Sequence, residues 1–136
     1  MTPRHDDPRS TCPIACTLDI LGDKWTMLVI RDMVFARKRH FREFLESPEG
    51  IASNILTDRL KRLEESGIVA RRPDPDSARQ VIYTLTEKGK DLIPALIDLA
   101  QWGAKHVARS VVPKNLARRI KEDRDGLIEE LKSALK

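Results

Sequence analysis

The hydrophobic period of the chain changes at Gly67, and this change restricts the fold more than any other feature of the sequence. Before Gly67, which suits a helix C-cap, apolar residues recur at helical spacing. After it, residues 68–72 and 80–85 are rich in β-branched side chains, and the turn-forming residues 73–79 separate them. Helical spacing returns from Thr86 onward. The pattern predicts a mainly α-helical fold with one small β-hairpin.

The segment before the hairpin divides into four predicted helices. The first begins at Pro13 and stops at Gly22, because proline is accepted in a first turn and glycine breaks the pattern. Asp23 is the predicted N-cap of the second, a short third follows the basic run 37–42, and residues 51–66 form the fourth. The apolar residues at helical spacing are Ile14, Leu18 and Leu21, then Trp25, Leu28, Val29, Met33 and Val34, then Phe41, Phe44 and Leu45, and finally Ile55, Leu56, Leu60 and Leu63.

Two helices are predicted after the hairpin. The first runs from Thr86 to about Val107 and is broken by residues 111–113. Pro94 lies near its start, where proline is either accepted or kinks the helix. Its apolar positions are Leu92, Ile93, Leu96, Leu99, Ala100, Trp102 and Gly103. The second is one charged amphipathic helix from Asn115 to Leu135.

The order of these elements is typical of a winged helix-turn-helix domain. A short helix, a tight connection and a polar-faced helix form the helix-turn-helix unit, and the hairpin adds the wing. In such a unit the second helix enters the major groove, so residues 52–65 are the candidate recognition helix. The candidate DNA-binding residues are Arg39, Arg42, Ser53, Asn54, Thr57, Arg59, Lys61, Arg62 and Arg79.

The residue types on this helix suit different parts of DNA. Asn54 suits adenine, either Arg59 or Arg62 can reach guanine, and the hydroxyls of Ser53 and Thr57 suit phosphates. Asp58 would repel a phosphate, so we expect its carboxylate to pair with Arg62, four residues on. Arg79, on the predicted hairpin tip, suits a phosphate or a narrow minor groove.

Composition narrows the classes of partner. Lys and Arg number 25 against 21 Asp and Glu, a balance that permits binding to nucleic acid without demonstrating it. Aromatic residues make up 4%, too few for the stacking platforms of single-strand binders. No apolar run is long enough for a membrane span, and the first residues lack the apolar core of a signal peptide. We therefore expect a soluble cytoplasmic protein without a membrane partner.

No motif of a catalytic or metal site is present. The sequence has no Gly-x-Gly-x-x-Gly, no Gly-Lys-Ser/Thr loop and no histidine beside a plausible nucleophile. Cys12 and Cys16 lack a second ligand pair at metal spacing, and His5, His40 and His106 are scattered. We expect neither enzymatic activity nor a metal or cofactor.

Four motifs follow one another between residues 12 and 107. Residues 12–25 read CPIACTLDILGDKW, 39–44 read RHFREF, 51–69 read IASNILTDRLKRLEESGIV, and 83–89 read YTLTEKG. Together they resemble the HxlR-type transcriptional regulators. The first is similar to the family's opening Cys-Pro signature with its Lys-Trp pair. The others are similar to its Arg-Phe-x-(Glu/Asp)-(Leu/Phe) segment, its recognition helix and its wing exit.

This resemblance implies a homodimer that binds double-stranded DNA, with terminal helices at the dimer interface, and that represses or activates nearby genes. Two-fold symmetry predicts a near-palindromic operator. The expected division of the chain is a mobile arm (1–10), a winged helix-turn-helix domain with dimerisation helices (11–109) and a C-terminal amphipathic helix (114–136). Residues 35–39, with the sequence FARKR, replace the Gly-containing turn expected after the second helix.

The resemblance also implies a candidate effector site. Some members of the family sense oxidants or electrophiles through the cysteine of the Cys-Pro motif, which is Cys12 here. A cysteine at a helix N-terminus reacts readily because the helix dipole favours its thiolate. The alternative is that Cys12 only packs under the dimer. We expect Cys16 to be buried, and two cysteines four residues apart are poorly directed for a bond within one helix, so oxidation would link subunits.

Two other functions remain open from the sequence. One is a MarR-like regulator controlled by a small apolar ligand, held between the dimer helices around Trp102, although tryptophan at such a position is more often interface core. The other is a winged helix that docks on a protein partner. Neutralising Arg59, Lys61 and Arg62 together distinguishes the two kinds of partner. Binding to a protein partner would be retained, whereas binding to DNA would be lost.

Overall fold

Eight helices and one antiparallel hairpin make up residues 10–135, the part of the chain that this computed structural model describes. The predicted arm, apart from Ser10, lies outside the described residues. The elements are α1 (Pro13–Leu21), α2 (Lys24–Phe35), α3 (Phe41–Leu45), α4 (Ser53–Glu65), β1 (Val69–Asp74), β2 (Ser77–Leu85), α5 (Glu87–Lys90), α6 (Ile93–His106), α7 (Lys114–Glu122) and α8 (Arg124–Ala134). The mainly helical fold with one small hairpin is confirmed. No helix in this part of the chain combines the length and apolarity needed to cross a bilayer.

One hydrophobic core joins α2, α3 and α4 to the hairpin and α6. Its fully enclosed side chains include Ile30, Phe44, Leu56, Ile93 and Ile97, each with an exposed fraction of 0%. Complete burial of such a side chain stabilises the fold by roughly 1.5–3 kcal/mol. The helix ends follow the expected chemistry, because Asp23 accepts a hydrogen bond from the amide of Thr26 at 3.0 Å and Gly67 adopts a φ of +75° after α4.

The apolar stripe predicted for α1 is only partly in this core. Leu21 is buried, but Ile14 and Leu18 expose 71% and 58% of their surface. On α6, Leu99 and Trp102 expose 58% and 62%. Large apolar side chains at this level of exposure leave α1 and α6 each with an uncovered face.

Two predicted helices are each divided in the structure. The helix expected from Thr86 to Val107 breaks between α5 and α6, because Pro94 has no amide hydrogen and its ring would clash with the carbonyl four residues earlier. The helix expected from Asn115 to Leu135 breaks at Asp123, whose φ of −149° and ψ of 57° are not helical. The single-helix prediction was wrong in both places.

The C-terminal helices fold back on their own subunit. The Asp123 side chain caps α8 by accepting from the amide of Gly126, and Leu127 and Ile128 then lie in the core. Arg124 fastens α8 to α6 through both carboxylate oxygens of Asp98, at 2.9 and 3.0 Å. These contacts hold α8 against α6 of the same subunit.

The hairpin is tighter than predicted. The strands include most of the expected loop, and only residues 75–76 form the turn. The register pairs Val69 with Leu85 and shifts beside Pro73, where the strands resume with Asp74 opposite Ser77. Proline is tolerated there because a two-stranded sheet consists of edge strands.

The turn without glycine after α2 contains a left-handed residue. Arg37 has a φ of +54°, which makes it the one non-glycine residue with positive φ between residues 10 and 135. Glycine adopts this conformation without steric penalty. The turn therefore has the backbone conformation expected of a Gly-containing turn, with Arg37 in place of the glycine. The backbone returns through Lys38, whose amide donates to the Asp32 carbonyl at 3.1 Å.

Candidate nucleic-acid interface

The helix-turn-helix unit consists of α3, the turn 46–52 and α4. Leu56, Leu60 and Leu63 are buried and hold the inner face of α4 against α2, α3 and β1. Spacings of three and four residues then place the polar residues along the outer side. The exposed ones are Ser53, Asn54, Thr57, Lys61 and Arg62. The structure thus brings five of the nine predicted DNA-binding residues together on one helix.

The predicted ion pair on this helix is confirmed. Arg62 Nε lies 2.9 Å from Asp58 Oδ2, and the Arg62 side chain keeps 51% of its surface exposed. A pair between such exposed groups contributes only about 0.5 kcal/mol or less to stability, so Arg62 remains available to a ligand.

Arg59 is not part of the exposed set. Its side chain is only 18% exposed, and its Nε donates to Asp23 Oδ2 at 2.6 Å while Nη1 donates to Asp58. This places the guanidinium between α4 and the N-cap of α2. Its hydrogen bond lowers the pKa of Asp23 from 3.8 to about 2, and the amide of Thr26 helps. Arg59 therefore links α4 to the start of α2. The two residues of this contact are 36 positions apart, so local sequence patterns do not predict it.

We expect Arg59→Met to destabilise the protein by about 1 kcal/mol at pH 6, after allowance for solvent screening. The folded pKa of Asp23 is depressed, so this contribution is complete above pH 3.8 and is lost as pH falls through 2. Urea unfolding of both proteins at pH 6 and pH 3 should show the difference shrinking to about half. A difference that stays constant or grows toward low pH contradicts this role.

Three more predicted residues, Arg39, Arg42 and Arg79, lie around α4 rather than on it. Arg42 on α3 and Arg79 on β2 are exposed. Within residues 10–135, no carboxylate lies within 4.0 Å of these two cations or of Lys61 on α4. Arg39 differs, because it is half-buried and its carbonyl accepts from the amide of Tyr83 at 2.8 Å, at the junction of loop and hairpin.

His40 fixes the hairpin relative to α3. Its Nδ1 lies 2.9 Å from Glu43 and its Nε2 lies 2.8 Å from Asp74 near the hairpin turn. Carboxylates only accept, so the two contacts favour the imidazolium, in which both ring nitrogens donate. Asp74, and then Glu43, raise the pKa of His40 accordingly. The sequence predicted no bridge here, because 34 residues separate His40 from Asp74.

A buried polar cluster holds the turn before α4. Asp32 accepts from the Ser47 hydroxyl and from Arg31, and Lys38 donates to the same serine at 2.7 Å. Arg31 also binds Glu49 through two hydrogen bonds of 2.6 and 2.8 Å, which lower the pKa of Glu49 from 4.5 to about 2. In the sequence, the only indication of this cluster is that Arg31 and Asp32 interrupt the apolar run from Trp25 to Ala36.

Both cysteines are exposed. Cys12 is the N-cap residue of α1, as expected from the following Pro13. Cys16 was predicted to be buried, and that prediction was wrong because α1 leaves most of its surface uncovered.

Known proteins with the same arrangement are regulators of transcription. The family described as HxlR-like helix-turn-helix matches residues 20–111. The chain is 34% identical to the HTH-type transcriptional regulator YdeP of Bacillus subtilis over 83% of this chain and 86% of that protein. Among solved structures, the redox regulator HypR in its oxidized form is 33% identical with a TM-score of 0.62, over 70% of this chain and 97% of that one. The transcriptional regulator YodB from B. subtilis, in its reduced form, is 31% identical with a TM-score of 0.60, over 75% and 100%. These relatives are regulators rather than enzymes, as expected, and the chain belongs to the HxlR-like helix-turn-helix family of transcriptional regulators.

Proposed function

We propose that this regulator binds double-stranded DNA sequence-specifically, as a homodimer on a near-palindromic operator. The observation that carries the proposal is the outer face of α4, where polar side chains lie exposed between flanking cations on α3 and β2. Asn54 near the start of α4 suits an adenine edge, and Ser53 and Thr57 suit phosphates. The hairpin, with Arg79, lies alongside as the wing.

The dimer interface in this proposal is formed by α1 and α6. Ile14 and Leu18 on α1 and Leu99 and Trp102 on α6 expose apolar surface that a monomer would leave in water. Aromatic residues are frequent anchors of such interfaces. The proposal requires a two-fold axis there that sets the two copies of α4 about 34 Å apart, so that they enter successive major grooves on one face of the DNA.

The test is fluorescence anisotropy with the double variant Arg42→Gln, Lys61→Gln. Each subunit then loses two phosphate contacts, so affinity should fall on every sequence and the salt slope should fall by about one per contact removed. Arg118→Gln, which removes an exposed cation from α7, is the matched control and should bind as wild type. Unchanged DNA affinity in the double variant contradicts the proposal and favours a protein partner for α4.

We further propose that Cys12 is the thiol through which oxidants change DNA binding. Cys12 is exposed at the start of α1, beside the apolar face assigned to the dimer, and this position supports a disulfide to its copy in the partner. Diamide as oxidant would take two electrons and two protons from the two thiols, leaving one disulfide between subunits. The redox regulator HypR, a structural neighbour, supports this interpretation.

Cys12→Ser should bind DNA as wild type and lose the response to diamide, whereas Cys16→Ser should keep it. The readouts are anisotropy before and after diamide and a non-reducing gel for the linked dimer. A Cys12→Ser variant that still responds contradicts the assignment of the switch to Cys12.

A further inference from the structure

A cavity of about 270 Å³ lies between the end of α8, the loop after α2 and strand β2. Met33, Leu85 and Leu135 supply apolar lining, and the loop residues Arg37 and Arg39 supply positive charge. A cavity of this size accommodates a compact ligand rather than a drug-sized one. Its apolar and cationic parts together suit an amphipathic anion.

Arg39 supplies the second observation. Its Nε is shielded from solvent, and no acceptor lies within hydrogen-bond reach among residues 10–135. A buried donor without a partner is costly, and such a group is usually satisfied by a missing water or ligand. The backbone of Arg39 is held on both sides, because its amide donates to Glu43 at 3.1 Å and its carbonyl accepts from Tyr83. The backbone of Arg39 is therefore fixed at the edge of the cavity, and its guanidinium Nε is left for a ligand.

The remaining basic residue of the lining is already engaged. Lys38 donates to the hydroxyl of Ser47 at 2.7 Å and lies 3.7 Å from the Asp32 carboxylate. Arg37 is exposed and has no carboxylate within 4.0 Å among the described residues. Arg39 and Arg37 are thus the two cations that a ligand can use.

We propose that this cavity binds a small carboxylate with a compact apolar body. The carboxylate accepts from the Arg39 guanidinium, where a charge-assisted pair is about twice as strong as a neutral hydrogen bond. The apolar body lies against Met33, Leu85 and Leu135. This site is separate from Cys12 and from the Trp102 face. Its outer wall belongs to α8, which lies beyond the residues 20–111 that match the family.

The proposal extends to regulation, and that part rests on the proposed function. Arg37 and Arg39 belong to the connection between α2 and α3, beside the predicted DNA-binding face. A bound anion neutralises positive charge there, so it should weaken the binding of DNA, which depends on cations.

The binding test uses the full chain without DNA, so its outcome is independent of the proposed function. Benzoate is titrated while amide chemical shifts are followed by NMR, with benzyl alcohol as the uncharged probe. We expect shifts to concentrate at residues 33–39, 83–85 and 134–135. Arg39→Gln should weaken benzoate binding at least about tenfold, and Arg42→Gln, which removes a nearby charge outside the cavity, should leave it unchanged. Ala134→Phe, which fills the cavity without changing charge, should also abolish binding.

Three results would overturn the binding proposal. They are shifts spread over the surface, equal binding of benzyl alcohol, and equal losses in Arg39→Gln and Arg42→Gln. The regulatory part is tested separately by adding benzoate to the DNA complex, where affinity should fall in wild type but not in Ala134→Phe. DNA binding that ignores a bound benzoate overturns the regulatory part and leaves the proposed function intact.

Discussion

Raising the salt concentration from 50 to 200 mM is expected to weaken operator binding by about three to five orders of magnitude. The cations on the proposed interface release counterions when they neutralise phosphates, and a dimer with about 6 to 10 phosphate contacts shows a loss of this size. Arg42, Lys61 and Arg79 in each subunit account for about six of these contacts, and Arg62 on α4 raises the number to about eight. Anisotropy titrations across this range give the slope directly.

The double variant Arg42→Gln, Lys61→Gln is the internal control for this slope, because it should show a shallower salt dependence on the same DNA. An affinity that falls less than about tenfold over the range contradicts the assignment of these cations to phosphates.

Gly89→Ala is expected to destabilise the fold by about 3 kcal/mol. A Cβ at Gly89 would overlap the Ile68 carbonyl oxygen and lie 2.7 Å from Leu85 Cδ2. The carbonyl cannot withdraw freely, since it accepts from both the amide and the hydroxyl of Thr86. Overpacking against fixed backbone costs about 1–3 kcal/mol or more, which lowers Tm by about 10 °C in a domain of this size.

Urea unfolding followed by circular dichroism measures this loss. Glu87→Ala on the same short helix is the control, and because that side chain is exposed its stability should change by about 0.5 kcal/mol or less. Near wild-type stability in Gly89→Ala would mean that α5 does not pack on the hairpin as described.

Local signals explain why much of the fold could be predicted. The N-cap at Asp23, the left-handed Gly67 and the buried leucines of α4 each depend on residues within a few positions. The divided helices show the limit of this approach. Pro94 was recognised near the start of a helix, but whether it bends or separates two helices depends on packing around it. The break at Asp123 lacks a proline, and packing of α8 against α6 accompanies it.

The candidate site was predictable in position but not in detail. Exposed residues of α4 follow from the hydrophobic period alone. Arg59 and Lys61 are both basic residues of α4, and the sequence does not distinguish their roles. Only the fold brings Asp23 into contact with Arg59, which takes this side chain out of the exposed set. The cavity beside Arg39 was hidden for the same reason, since its walls come from segments about 50 residues apart in the chain.

The most direct test of the account is selection of bound sequences from random double-stranded DNA by the full chain. We predict an enriched inverted repeat whose half-site centres lie about 10 base pairs apart, with Asn54→Ala relaxing the preference at one position in each half-site. Failure to enrich any sequence, or enrichment of a single half-site without symmetry, would contradict a homodimer that presents two copies of α4 to DNA.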